Sequence, residues 1–307
     1  DGLIDTAWQG YYDRHEALAA EGVRGTFITT LDQDQGLLAS WPSRVPRSFE
    51  AYEAPNEVDR LPDSAWPDRM RATMARLGAL KAQRGVSAFP VVGPSLTRED
   101  SYDRLGDVSR WFDFANLHNY LAGRHPGTAG WGRDGYGSIA WNLRLIAPFR
   151  GGKPVVTTET GYQTVAGVED RVPEAVAARY MPRVLLEQFS LGVSRTFIYE
   201  LFDFRDSGGY GLVAEDGRRK PAFLAVAALL HLLADPGPAL TVKPLAYRVL
   251  QTWPELRHLA FETRRGTYFL ALWIEAPAFD VVDGRALDVA PERATIVLPP
   301  AIRLRRT

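Results

Sequence analysis

Residues 48–59, SFEAYEAPNEVD, pass from a short alternating run of aromatic and small residues into a turn that carries Asn56 and Glu57. Residues 154–162, PVVTTETGY, repeat the pattern: four residues, Val155 to Thr158, lead into Glu159, and Gly161 lets the chain turn away. A glutamate that closes a buried strand is costly to desolvate unless it has a partner or a purpose. Two such strand-end carboxylates, 102 residues apart in the chain, are expected to meet at one end of a parallel sheet, where one can give a proton while the other attacks carbon.

Around these two segments, strand-like runs recur at 22–30, 48–54, 88–93, 111–120, 154–159 and 195–202, separated by helical patterns. Ser64 and Pro67 predict a helix start, with Met70, Met74, Leu77 and Leu80 as its apolar stripe and Gly85 past its end. Val176, Tyr180, Val184, Leu185 and Phe189 mark a second helix, bent at Pro182 and stopped at Gly192. Strand–helix alternation with chemistry at the strand ends favours a (β/α)8 TIM barrel over a doubly wound sheet. Six strands do not close such a barrel. The reading therefore places two strands before Asp1, either removed or supplied by another copy or chain, and takes 1–238 as an N-terminally incomplete catalytic barrel. From 239 to 307, short β runs split by turns at Arg265-Gly266 and Asp283-Gly284 predict a small antiparallel β module of sandwich-like kind.

Composition excludes other classes. The 307 residues carry 36 Lys and Arg against 37 Asp and Glu, so a net charge of −1 provides no field to gather nucleic acid or an anionic membrane. The apolar stretch AFLAVAALLHLLA at 222–234 is too short to span a bilayer. No cysteine is present, which removes disulfides and thiolate metal sites and leaves the compartment open, with secretion favoured over the cytoplasm. The five histidines show no helix-spaced zinc pair, DQDQG at 32–36 lacks the closing Glu of a calcium loop, and no metal or cofactor is expected. Residues 135–140, GYGSIA, match a dinucleotide pattern by letters but follow WGRD rather than a strand.

Further polar and aromatic residues gather near the predicted strand ends. His118 and Tyr120 alternate in FANLHNY, which predicts that both point the same way, the imidazole toward a carboxylate and the phenol toward a nucleophile. In FIYELFDF, Tyr199 and Leu201 share a face and Glu200 takes the other, as a sugar-hydroxyl contact or a rival catalytic carboxylate. Trp131, Trp141, Tyr136 and Tyr210 lie in or beside Gly-rich loops, where their rings either stack on sugars or pack the loops.

With these residues in place, the chain resembles retaining glycoside hydrolases of the large (β/α)8 clan that includes cellulase-like, β-xylosidase and α-iduronidase enzymes. The resemblance spans most of residues 1–235 and rests on PNE at 55–57, His-x-Tyr at 118–120, TETG at 158–161, and YEL leading into GLVAEDGRRKPAFLA at 211–225. It implies Glu57 as acid/base on the fourth strand, Glu159 as nucleophile on the seventh, Asn56 on the sugar's 2-hydroxyl, and His118 with Tyr120 as a sixth-strand pair. Asp1-Gly2-Leu3 is similar to the stretch just after the second strand, where the clan often has an Arg that this chain lacks, and Tyr199-Glu200-Leu201 replaces the clan's last-strand Trp. The expected reaction is a double displacement at a glycoside, oligosaccharide or polysaccharide. In it Glu57 is held protonated by the charge of Glu159 and by partial burial, then becomes a base once Glu159 is glycosylated. The competing expectations are a catalytically inactive carbohydrate-binding barrel and a metal-dependent hydrolase with ligands converging near His118. Partners besides substrate are a second copy or an N-terminal segment completing the barrel.

Overall fold

The computed structural model describes residues 2–204, 208–250, 253–300 and 302, with side chains from residue 9 onward. Asp1 and the last residues of the 239–307 segment lie outside the described residues. Along the chain the elements are α1 (Gly2–Ala20), β1 (Gly25–Ile28), α2 (Gln35–Arg44), β2 (Phe49–Glu53), α3 (Trp66–Leu80), β3 (Val91–Val92), α4 (Ser101–Leu105), β4 (Ala115–His118), α5 (Ile139–Ile146), β5 (Val155–Glu159), α6 (Glu174–Ser190), β6 (Val193–Thr196) and α7 (Pro221–Leu233). Six short strands follow: β7 (Arg248–Val249), β8 (Leu256–Glu262), β9 (Tyr268–Ile274), β10 (Phe279–Asp280), β11 (Arg285–Ala286) and β12 (Ile296–Val297). The chain forms two compact units. The first gathers Asp1–Asn119, Ala140–Glu159 and Gly192–Phe197; the second gathers Tyr120–Ile139, Thr160–Leu191 and Ile198–Thr307.

The first unit is built on the six expected strands, all parallel and in chain order. β1 pairs with β2 and β2 with β3; β4 pairs with β5 and β5 with β6; a single parallel bridge, Val92 to Phe114, joins β3 to β4. Among the described residues β1 and β6 do not pair, so no closed barrel is seen; a full (β/α)8 barrel, of which the sequence reading takes this chain to hold six strands, is not present. Six strands, several of them two to four residues long, give an open parallel sheet with an edge at each side.

Alternation places Tyr52 in the helical layer, and the β1–β2 register irregularity at Glu50 brings Phe49 to the same side. Phe27, Phe49, Tyr52 and Trp41 of α2 are buried with ring centroids 4.7–6.2 Å apart, and the Tyr52 hydroxyl donates to the Leu38 carbonyl at 2.8 Å. Each fully buried aromatic contributes about 2 kcal/mol of transfer free energy. α2 starts at Asp34, whose carboxylate accepts from the Leu37 amide at 2.8 Å. On α3 the predicted stripe is buried in full: Met70, Met74, Leu77 and Leu80 are at most 1% exposed. Gly78 sits within that helix because a Cβ there would come 2.5 Å from the Trp111 ring. Ser64 does not cap α3. Ala65 occupies the cap position, and Asp63 accepts the Ala65 amide at 2.9 Å.

The opposite face of the sheet is layered. Ala51, Val92 and Val156 form a small apolar cluster with Phe114 beside it. One step along the strands, the same face turns polar with Glu53, Asn116 and Thr158.

The second unit holds α6 and α7, packed together, and the antiparallel pairs β8–β9, β7–β12 and β10–β11. Gly266, at φ 70°, closes the β8–β9 hairpin with its amide on the Thr263 carbonyl at 2.8 Å. Val176, Tyr180 and Val184 of α6 are buried as expected, but Phe189 is 58% exposed, its ring 5.4 Å from Phe261 of β8. The buried face of the helix continues through Glu187 and Gln188, and Phe189 turns off it. No helix among the described residues is long and apolar enough to cross a membrane.

Glu275, just past β9, anchors this unit. Its side chain is fully buried and accepts from Arg183 Nε of α6 at 2.9 Å, from the Gly127 amide at 2.9 Å and from Trp273 Nε1 at 2.8 Å; His125 Nδ1 lies 2.9 Å away. Burial alone would raise this carboxyl, but His125, Arg183 and the Gly127 amide together bring it down to about 2. A carboxyl depressed in the folded state stabilises fully above its unfolded value of about 4.3, and that contribution fades as pH falls toward 2. Glu275→Gln is therefore expected to lower unfolding free energy at pH 7 by about 3 kcal/mol, measured by urea titration, with the gap between wild type and variant closing below pH 4.

Candidate active site

The polar end of the first unit's sheet assembles around His118. β4 ends at this residue, whose side chain is 3% exposed. The β4–β5 register slips here: Leu117 faces Thr157, but His118 faces Glu159. Two residues of β5, Thr158 and Glu159, thus oppose one of β4, and such a bulge re-aims side chains at the strand end. His118 Nδ1 lies 2.8 Å from Glu57 Oε1 and 3.6 Å from Glu159 Oε2, while Nε2 lies 3.1 Å from Thr158 Oγ1.

Glu57 follows β2 in the turn that Pro55 and Asn56 open, and takes the left-handed conformation with φ 41° and ψ 44°. For a residue with a Cβ this costs about 1–2 kcal/mol. It sends the carboxylate back over the sheet end, where His118 receives one oxygen and Arg60 Nη1 donates to the other at 2.9 Å. Burial pushes Glu57 up, but the hydrogen bonds and charges of His118 and Arg60 together outweigh it and leave the carboxyl below its ordinary range. The expectation that Glu159's charge and burial would hold Glu57 protonated is thus not met. Partners that favour the carboxylate dominate.

Beneath this trio is a second tier that the motif reading passed over. Glu53, the last residue of β2, is 4% exposed. It accepts from Thr158 Oγ1 at 2.7 Å and from Asn116 Nδ2 at 3.1 Å. Asn116 Nδ2 also donates to Thr158 Oγ1 at 2.8 Å, and Asn116 Oδ1 receives the Thr158 amide at 3.2 Å. Burial raises the Glu53 carboxyl above its usual value despite the lowering by Thr158, His118 and Asn116. The signal in the sequence is parity: Ala51 and Glu53 share one strand face, so a carboxylate falls on a buried row. Arg60, three residues after Glu57, is legible only once the turn geometry is known.

Glu57, His118 and Glu159 each bring one donor atom within 4.8 Å of the others. Edges of a tetrahedral zinc polyhedron with bonds of about 2.0–2.2 Å are near 3.3 Å or longer. The 2.8 Å separation of His118 Nδ1 and Glu57 Oε1 is shorter and is that of a hydrogen bond, with Glu159 Oε2 farther off at 3.6 Å from the same nitrogen.

Asn56 is exposed and lines an open cleft of about 440 Å³ with Thr29, Thr30, Asp32, Leu61 and Arg69. Of the remaining sequence-predicted residues, Trp141 lies on α5 in the first unit, and the others belong to the second unit. β4 stops at His118 and β6 at Thr196, so neither Tyr120 nor Tyr199 and Glu200 lie on strands, and the alternation used to orient them does not apply. Tyr120 and Tyr210 meet edge to face at 5.4 Å, and Tyr199 and Tyr210 at 5.5 Å. Trp131 lines a cleft of about 430 Å³ with Tyr120, Tyr210, Gln163, Glu169 and Asp170, and its ring carries the Arg124 guanidinium 4.4 Å from the centroid.

No protein-family model and no curated protein matches the chain. Solved structures do. The glycoside hydrolase family 17 β-1,3-glucanosyltransferase from Rhizomucor miehei superposes with a TM-score of 0.50 at 17% identity, over 67% of this chain and 77% of that one. A GH2 β-galacturonidase from Eisenbergiella tayi gives 0.49 at 17% identity, and here the matched region spans 68% of this chain but 38% of the enzyme. The β-glucuronidase of Ruminococcus gnavus gives 0.44 at 18% identity, over 66% and 35%. The chain therefore shares an α/β, parallel-strand fold with the Rhizomucor miehei glucanosyltransferase.

Replacing His118 with Ala is expected to raise the Glu57 titration point more than Arg60→Ala does, because Arg60 is 68% exposed and screened by water. Carboxyl 13C NMR of selectively labelled protein reads both shifts; an unchanged Glu57 in both variants refutes the assignment.

Proposed function

We propose that this chain is a retaining glycoside hydrolase acting on a glycoside, oligosaccharide or polysaccharide, with Glu159 as nucleophile and Glu57 as acid/base. The observation that carries the reading is the approach of the two carboxylates. Their donor oxygens lie within 4.8 Å of one another at the ends of β5 and just past β2, with His118 between them. Retaining enzymes place their carboxyl groups about 5–5.5 Å apart, and inverting ones leave about 6.5–9.5 Å for a water. The open six-strand sheet supports reading the chain as six strands of a (β/α)8 barrel, whose chemistry sits at the carboxyl ends of its strands. Residues 239–307, rich in short antiparallel pairs, are the proposed accessory β module.

In the first half-reaction Glu159 attacks the anomeric carbon while Glu57 delivers a proton to the departing oxygen; in the second, Glu57 takes a proton from water as that water displaces Glu159. Asn56, exposed in its cleft, is placed to bind a sugar hydroxyl near the acid/base. Within the second unit, Tyr120, Tyr199, Glu200 and Trp131 are proposed sugar contacts, and the aromatic cleft that Tyr120 and Trp131 line supports that role.

Glu159→Ala is expected to lower aryl-glycoside hydrolysis by at least about 10³-fold, with azide restoring turnover and yielding a glycosyl azide. Proton NMR of the first-formed product should show retained anomeric configuration. Undiminished activity in Glu159→Ala, or an inverted product from wild type, would remove this assignment.

A further inference from the structure

A tension in the site leads further. An acid must hold a proton before the first step, yet the partners of Glu57 favour its carboxylate. A second carboxyl, Glu53, lies in the tier below, and an unbroken hydrogen-bonded chain connects the two. From Glu57 Oε1 it runs to His118 Nδ1 at 2.8 Å, from His118 Nε2 to Thr158 Oγ1 at 3.1 Å, and from Thr158 Oγ1 to Glu53 Oε1 at 2.7 Å. We propose that Glu53 is a positioning residue that stores the proton Glu57 uses, exchanging it through Thr158 and His118. The inference rests on the reading of Glu57 as acid/base.

Two arrangements with the same number of protons carry the relay; in both, the Thr158 hydroxyl forgoes its alternative acceptor, Asn116 Oδ1 at 3.0 Å. In the first, the Thr158 hydroxyl donates to ionised Glu53 and accepts from Asn116 Nδ2 and from His118 Nε2–H. Nδ1 is then a bare lone pair, and Glu57 must be the acid that donates to it. In the second, Glu53 carries a proton and donates to Thr158, whose hydroxyl turns to His118 Nε2, and Nδ1–H donates to ionised Glu57. Passing from first to second breaks O–H at Glu57, N–H at Nε2 and O–H at Thr158, and forms N–H at Nδ1, O–H at Thr158 and O–H at Glu53. Total charge is unchanged, and one proton has left Glu57 as one arrives at Glu53. Reversal recharges the acid.

Three features support storage at Glu53. It is 4% exposed, and both its side-chain partners, Thr158 and Asn116, are neutral. The charged or titratable groups facing it are His118 of β4 and Glu159 of β5, the first favouring its carboxylate and the second its acid. Burial outweighs all of these and raises the carboxyl, in contrast to Glu57 four residues on, which has Arg60 as a direct cationic donor.

The test needs no substrate. Two-bond 1H–15N spectra of His118 report which ring nitrogen carries the proton. Wild type should show a mixture of the two tautomers whose ratio holds across the pH range in which the site keeps one proton. Thr158→Val should collapse it to the Nδ1–H form, because Nε2 loses its hydroxyl partner while Glu57 still accepts from Nδ1. Glu53→Gln should do the same, and Thr158→Ser should restore the mixture. An unaltered mixture in folded Thr158→Val and Glu53→Gln, with near-UV circular dichroism as the fold check, overturns the proposal. An activity arm compares 4-methoxyphenyl and 2,4-dinitrophenyl β-D-glucosides, the second of which needs little proton assistance. In Glu53→Gln, kcat/KM should fall about ten- to hundredfold for the poor leaving group and about twofold or less for the good one. If Glu57→Gln shows no such selectivity, the acid/base reading fails. If Glu57→Gln shows it and Glu53→Gln does not, the store alone fails.

Discussion

An imidazole buried to 3% exposure with a polar partner at each nitrogen is the constraint around which the end of the parallel sheet is arranged. Leaving either nitrogen unpaired there would cost about 1–3 kcal/mol, so the chain has to bring one group to Nδ1 and another to Nε2. Thr158 reaches Nε2 because the β4–β5 register slips by a residue. Glu57 reaches Nδ1 because its backbone adopts a left-handed conformation that side chains seldom take. The strain of about 1–2 kcal/mol is offset by hydrogen bonds to a charged group, worth about 1.5–3 kcal/mol each.

Three buried or half-buried glutamates show how neighbours, and not residue type, decide protonation. Glu275 is enclosed, yet Arg183, His125 and the Gly127 amide take its carboxyl to about 2. Glu57 has one imidazole and one exposed guanidinium and settles modestly below the ordinary range. Glu53 is given only an amide and a hydroxyl, and desolvation prevails. The first has the character of a structural anchor. The other two, opposite in direction and linked through His118, form the kind of divergent pair that acid–base chemistry uses.

The layering of the sheet explains why these groups coexist with a stable unit. Ala51, Val92 and Val156 fill the first step of the face with apolar atoms, and Glu53, Asn116 and Thr158 fill the next with groups that satisfy one another. Only beyond that tier do Glu57 and Glu159 reach the end of the strands. Polar groups enter the face in order of how completely they are paired, which keeps unsatisfied atoms out of the apolar step.

Much of this was legible in the chain itself. Each of six apolar runs overlaps one of the six parallel strands, and the methionine–leucine stripe of α3 lies buried at its predicted positions, because period-two and period-3.6 patterns are local consequences of burying one face. The approach of Glu57 and Glu159 follows from parallel strands ending at the same side. The strand-face argument failed for Tyr120, Tyr199 and Glu200, since both strands stop short of them, and the helical stripe of α6 failed for Phe189, which turns off the buried face. What only the tertiary structure decided was the register slip that lets Thr158 and Glu159 share His118, the turn that brings Arg60 to Glu57, and the tier that makes Glu53 a buried acid. The first and third depend on atoms brought together from strands 40 to 105 residues apart, and no spacing along one strand encodes the distance between two; the second depends on the left-handed backbone of Glu57 within a three-residue span.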